Sequence, residues 1–318
     1  MKIGLFDVDS TIPNLALMKI SSYHKSLGHD VEFAMPLQFG DYDKIYASKV
    51  FNFKHENDAY LRFNDANFII GGTGVDVASK LPLEVEECIP DYSLYGIDYN
   101  IGFASRGCRR NCEFCVVPKK EGKVHSVSSI KKLITNPKGT NLMLLDNDFF
   151  GNPHWEDTAK ELIKLGNKIN ISQGINVRSI TDKQAQYLLK INYRDIHFNR
   201  KSIHLAWDNI KDENLVLRGL ERLMSHGILA SHITVYVLIG FNSTPNEDMY
   251  RVEKLRKLKV SPFVMPFDKS DPYQRDFTRY VNNKAVFKSI PFEEYGMTRM
   301  TSKEKREQTQ HNLFGHTS

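Results

Sequence analysis

The sequence predicts an α/β protein in which a small parallel α/β layer is followed by a partial βα barrel and a short extension. Three observations point there. Short apolar runs with β propensity alternate with apolar residues at helical spacing along most of the chain. The alternation restarts at Tyr99, after a proline-containing, acidic stretch (73–98) that reads as a linker. The 318 residues are enough for about two domains at ~150 residues each.

Taken in order, KIGLFDV (2–8) is the first strand. Pro13 sits where a first helical turn would begin, and Leu15, Met18, Ile20 and Tyr23 then recur at helical spacing up to Gly28. DVEFA (30–34), DKIYASKVF (43–51) and NFIIGG (67–72) read as further strands. A strand–helix–strand order implies a right-handed parallel crossover, hence an open Rossmann-like layer over residues 1–95. The second series has strands at 99–105, 141–146, 168–174, 202–207, 232–240 and 261–267. Helical patterns lie near 126–135, 154–166, 181–191, 210–227 and 246–259. This regularity predicts a TIM-like partial (βα)6 barrel over 96–267, with functional groups at the carboxyl ends of its strands. Residues 268–318 form a C-terminal extension without that rhythm. The aromatic-rich stretch 263–292, which offers Tyr273 and Tyr280 as substrate contacts, is expected to close the barrel's open side, and the polar end 301–318 to be poorly ordered.

Composition narrows the class. Apolar residues make up 41% and charged residues 25%, with a mean hydropathy of −0.41, and no run of ~18 apolar residues occurs, so a membrane span is not expected. The opening MKIGLFDVDS lacks the basic and long apolar regions of a secretory signal, so a cytoplasmic location is expected. The net charge of +5 is concentrated from Arg251 onward, where 14 Lys and Arg face 8 Asp and Glu. No nucleic-acid-binding module accompanies this basic segment, so a solvated basic surface is favoured over a nucleic-acid partner.

Three of the four cysteines fall in Gly102-Phe-Ala-Ser-Arg-Gly-Cys108-Arg-Arg-Asn-Cys112-Glu-Phe-Cys115, directly after the first barrel strand. That grouping reads as a metal site in a reducing compartment rather than a disulfide framework. Gly107 lets the backbone approach closely, and thiolates select zinc or iron–sulfur chemistry. Structural zinc wants a fourth protein ligand, and the nearest are His125 and the distant Cys88, which otherwise reads as an incidental thiol. Ferredoxin-type spacing is absent too. Three ligands are therefore better read as leaving one iron open to a small molecule, with a zinc or iron–sulfur binding module as the alternative.

The loop, its place after the first βα strand and the strands that follow resemble the radical S-adenosylmethionine (SAM) superfamily over about residues 99–267. The resemblance implies that Cys108, Cys112 and Cys115 hold a 4Fe-4S cluster whose open iron chelates SAM. One electron then cleaves SAM to a 5′-deoxyadenosyl radical that abstracts hydrogen from a substrate the sequence does not identify. It further implies a flavodoxin or ferredoxin-type reductant. Carried over residue by residue, Phe114 would lie against the adenine. Asp146-Asn147-Asp148-Phe149 stands where the SAM amino group is held, Gln173, Asn176 and Arg178 end the third strand, and Arg178 would neutralise the SAM carboxylate. Gly240, after Ile239, would bring backbone against the adenine.

The first 95 residues resemble the cobalamin-binding-type domain that precedes this barrel in one subgroup. Asp9-Ser10-Thr11-Ile12-Pro13-Asn14 lacks the histidine and glycine of the usual cobalt-ligating motif, so cobalamin, and with it a cobalamin-assisted methyltransferase, is possible but not favoured. Asp7-Val-Asp9-Ser-Thr11 also fits the D-x-D-x-T signature of haloacid-dehalogenase-type phosphatases, in which Asp7 would be nucleophile and Asp9 general acid. No clear lysine or acidic partner completes that set. The single cysteine left over, Cys88, does not suffice for a second cluster.

Overall fold

The computed structural model describes residues 1–62 and 67–299. The polar end at 301–318 therefore lies outside the described residues. The architecture is α/β with parallel sheets, and the chain packs as two compact units. The first comprises Met1–Asn176 with Asp182–Ile203, and the second Val177–Thr181 with His204–Ser318.

The first unit begins with β1 (Lys2–Asp7), α1 (Leu15–Ser26), β2 (Asp30–Phe33), β3 (Lys44–Ser48) and β4 (Phe68–Gly71). These strands form a parallel sheet in the order β2-β1-β3-β4, with Ile3 opposite Val31 and Lys44. As a central strand β1 is covered on both faces. Ile3 and Leu5 pack with Leu17, Ile20 and Val31, while Phe6 and Val8 pack with Phe39, Tyr42 and Ile45. Asn14 caps α1 by accepting a hydrogen bond from the Leu17 amide, and Pro13 precedes that cap rather than opening the first turn. Gly28, at φ 76°, turns the chain back into β2.

The stretch 73–98 is packed, not a solvated linker. It contains α2 (Leu83–Glu86), whose Val85 joins the cluster of Ile3 and Leu17. Tyr92 joins Met18 of α1 in a second cluster with Ile101, Met143, Leu145 and Phe198. The acidic composition masked apolar residues placed to cover neighbouring strands.

Beyond it run β5 (Asn100–Gly102), β6 (Ser105–Arg106), α3 (Val117–Lys120), β7 (His125–Ser126), α4 (Ile130–Leu133), β8 (Leu142–Leu144), α5 (Trp155–Leu165), β9 (Ile169–Ile171) and α6 (Asp182–Lys190). A parallel sheet β5-β8-β9 has every residue buried, as a doubly covered layer requires. The strand expected over 99–105 is interrupted at 103–104, because the Ala104 and Ser105 amides turn to a side chain on the next strand end. The helix expected near 126–135 is reduced to α4, since its first residues form β7, an antiparallel partner of β6.

The second unit holds β10 (Ile203–Ala206) except its first residue, then α7 (Glu213–Ser225), β11 (Ile233–Ile239), α8 (Pro245–Lys257), β12 (Ser261–Pro266), α9 (Pro272–Asn282), α10 (Lys284–Ser289) and α11 (Phe292–Arg299). The sheet order is β10-β11-β12, and β11 runs parallel to β12. In β11 the buried positions are Ile233, Val235, Val237 and Ile239, the two-residue alternation of a strand. A capping box of Thr244 and Glu247, with Pro245 in the first turn, starts α8. Arg251, counted above with the basic surface, is instead fully buried. It donates to the carbonyl oxygens of Trp207 (2.8 Å) and Leu238 (2.8 Å) and to the Asp248 carboxylate (2.6 Å). The extension is helical in α9–α11, where Phe292 meets Phe277 and Tyr280 with ring centroids 5.1 Å apart.

One titratable cluster lies apart from the strand ends. His24 Nδ1 stands 2.9 Å from His29 Nδ1, and its Nε2 is 3.0 Å from the Tyr46 hydroxyl. Burial, then the neighbouring His29 and Lys44, hold its pKa below the ordinary histidine value. A histidine whose folded pKa is depressed contributes stability that is present above its unfolded pKa and lost as pH falls below about 6.5. Urea-unfolding midpoints should therefore decline between pH 7 and 5, and His24→Gln should flatten that part of the profile.

Candidate functional site

The cysteine loop is the segment that joins β6 to β7, and its ends are pinned from several directions. Ser105 and Arg106 pair with Ser126 and His125. Gly107 adopts φ 82°, and a Cβ there would come within 2.5 Å of the Lys123 carbonyl oxygen, so glycine is required by both angle and space. The Cys108 amide donates to the Gly122 carbonyl at 3.3 Å, and the Cys115 amide to that of Cys112 at 3.0 Å. Phe103 lies under the guanidinium of Arg106, 4.1 Å from the ring centroid, and Arg106 also pairs with Glu86 and Glu121.

All three loop cysteines are unbridged and half-buried. The Arg110 amide donates to Cys108 Sγ at 3.4 Å. Burial pushes the Cys108 thiol up, and the neighbouring Asp148, Cys112 and Cys115 add to the rise. The other two sulfurs and a carboxylate thus repel a negative charge at Cys108, an arrangement that a cationic metal centre relieves. Soft donors, a common loop and mutual electrostatic influence make the trio chemically suited to an iron–sulfur cluster. Among the described residues no three His, Cys, Asp or Glu groups are gathered tightly enough for one metal ion. His125 is exposed and its Nδ1 faces the Lys123 carbonyl, while Cys88 faces the Glu84 carbonyl in α2.

The acidic residues after β8 hold this loop. Asp146 is fully buried and accepts from the amides of Ala104 and Ser105 (both 2.8 Å) and from the Ser105 hydroxyl (2.6 Å). Burial raises its pKa to about 6 against the lowering effect of those hydrogen bonds. Asp148 is equally buried and takes the Arg109 guanidinium through Nε (2.7 Å) and Nη2 (2.9 Å). Asn147 between them is half-buried. Phe114, 37% exposed, and Gln173 are at the surface, and Asn176 is half-buried where the first unit's long segment ends.

Arg178 and Gly240 belong to the second unit. Arg178 pairs with Asp212 at 2.8 Å, with both side chains largely covered. Gly240 has φ 76°, and a Cβ there would strike the Gln274 side chain. In the same unit, half-buried Tyr273 bonds the buried Asp248 carboxylate at 3.2 Å, and the hydroxyl of buried Tyr280 donates to the Ile290 carbonyl at 2.9 Å.

At the carboxyl end of β1, Asp9 accepts from the Val50 and Phe51 amides at 2.7 and 2.9 Å. Asp7 accepts from the Tyr95 hydroxyl at 2.5 Å and the Ser10 amide at 3.2 Å. Both carboxylates are thus engaged in fixing loops. Sequence reasoning missed Arg109, Ser105 and Arg251. The Asp248/Arg251 spacing of three on a helix was a usable signal, whereas nothing in the chain announced a pair as distant as Arg109 and Asp148.

Asp146→Ala would leave two buried amides and a hydroxyl without their acceptor, at a cost of about 3 kcal/mol. Urea unfolding of the variant should show that loss.

Comparison with known proteins agrees with the loop chemistry. A search of the curated proteins finds none that matches. The family model described as Radical SAM superfamily matches residues 103–255, which include the cysteine loop, β8, β9, β10 and β11. That family works with a 4Fe-4S cluster, SAM, a reductant and a substrate. Among the described residues no helix is long and apolar enough to cross a membrane. Residues 103–255 are thus similar to the radical SAM superfamily, a likeness that makes the chain an enzyme.

Proposed function

We propose that this enzyme holds a 4Fe-4S cluster on Cys108, Cys112 and Cys115, leaves one iron to SAM, and abstracts hydrogen from a substrate still to be identified. The observation that carries the reading is the set of three unbridged thiols on one pinned loop inside the matched domain. When bound there, cluster and SAM supply one-electron reductive cleavage of the sulfonium.

The chain's own residues supply geometry. Asp146 fixes the entry to the loop through Ala104 and Ser105, and Asp148 fixes the turn after Cys108 through Arg109. Arg178 is turned to Asp212, so its role is to hold the second unit's loops rather than to meet a carboxylate ligand. Phe114, Asn147, Gln173, Asn176 and Gly240 stay as the positions for SAM, with Phe114 offering an exposed aromatic face and Gly240 backbone without a side chain. Residues 1–95 form the Rossmann-like layer, 96–267 the partial barrel and 268–318 the closing extension. Cobalamin remains disfavoured, since the first strand end offers Asp9 bound to two amides and no histidine. The same engagement weighs against the phosphatase alternative. A cytoplasmic site of action and a flavodoxin or ferredoxin-type reductant complete the reading.

Anaerobic reconstitution should give about four irons and four sulfides per chain. With dithionite and SAM, the protein should release 5′-deoxyadenosine, and Cys112→Ala should abolish both results. One zinc per chain that iron cannot replace would overturn the proposal in favour of a binding module.

A further inference from the structure

We propose that Arg109 and Asp148 are a positioning pair whose opposite charges cancel beside Cys108 and thereby set the redox level of the cluster. The inference rests on the assignment of the cluster to the three cysteines. Its grounds are separate. Asp148 is fully buried, and a buried carboxylate without a partner is costly, so its pairing is a structural requirement. Arg109 meets it by two side-chain bonds, and the Arg109 amide adds a third contact to Oδ2 at 3.2 Å.

The backbone is shaped around the pair. A Cβ at Gly151 would strike the Asp148 carboxylate and come within 2.7 Å of Arg109 Nε, so the turn after β8 has room for the ion pair and for nothing more. The Gly151 amide, in turn, donates to the Asp148 carbonyl at 2.8 Å. The pair also stands against the sulfur. Asp148 Oδ2 lies 4.0 Å from Cys108 Sγ, close enough for an uncompensated carboxylate to oppose addition of an electron to a thiolate-bound centre. Arg109, in the residue that follows the cysteine, supplies the compensating charge. Its planar fork matters as well as its charge, because lysine cannot make the two parallel bonds.

The test uses reconstituted holoprotein without SAM and reads two quantities: iron and sulfide per chain, and the one-electron midpoint potential from a mediated dithionite titration followed by electron paramagnetic resonance. Arg109→Gln leaves the carboxylate bare, so the midpoint should move negative. Asp148→Asn leaves the guanidinium bare, so the midpoint should move positive. The double variant should return toward the wild-type value. Arg109→Lys should keep the potential near wild type while losing iron faster to a chelator. A purely mechanical role predicts single variants that shift in the same direction or not at all, and either result overturns the proposal. If both single variants fail to hold iron, recovery of iron in the double variant supports charge cancellation, and failure to recover overturns it. Wild-type protein that takes up no cluster would instead remove the cluster assignment itself.

Discussion

The buried carboxylate of Asp146 is the constraint on which the arrangement of the cysteine loop depends. It sits at the end of β8 yet spends its hydrogen-bonding capacity on the chain leaving β5. Two strands that are neighbours in a parallel sheet are thereby locked together beyond the point where their ladder stops. Its three donors offset much of the desolvation that burial imposes, although the pKa of about 6 shows that the offset is incomplete. Asn100, at the start of β5, plays a similar part at the opposite end by accepting from the Thr135 and Asn136 amides at 2.8 and 2.7 Å.

The second unit solves the same problem with a cation. Parallel strands end in loops that carry function, and those loops need fixing without a covering strand. Arg251 reaches from α8 to the Trp207 carbonyl just past β10 and the Leu238 carbonyl near the end of β11, and Asp248 with Ser243 and Tyr273 surrounds its charge. Burying an ion pair gains little stability by itself. Its effect is to leave one arrangement in which every polar atom of the group is satisfied, and so to hold Gly240 and the residues after it in one place.

Much of the fold was legible because its period was legible. Every strand expected from an apolar run exists, and β11 shows the alternation in its purest form. What could not be read was polar and long-range. The interruption at 103–104 arises from Asp146, forty residues downstream in the chain, and the shortening of the helix near 126–135 arises from β7 pairing back to β6. The cysteines stood out in the sequence because three thiols in so short a segment have few other uses. The two aspartates after β8 were also picked out, while their partners Ser105 and Arg109, some forty residues upstream, had no local signal. A carboxylate advertises its charge in a sequence and never its partner.

Met18 deserves a final consequence. It projects from the helix after the first strand into the cluster that covers Ile101 and Met143, with Tyr92 beside it. The front of the chain is therefore a lid of grease over the strands that lead to the cysteines, whatever else it does. The first layer could not be removed without baring the apolar side of Ile101 and Met143.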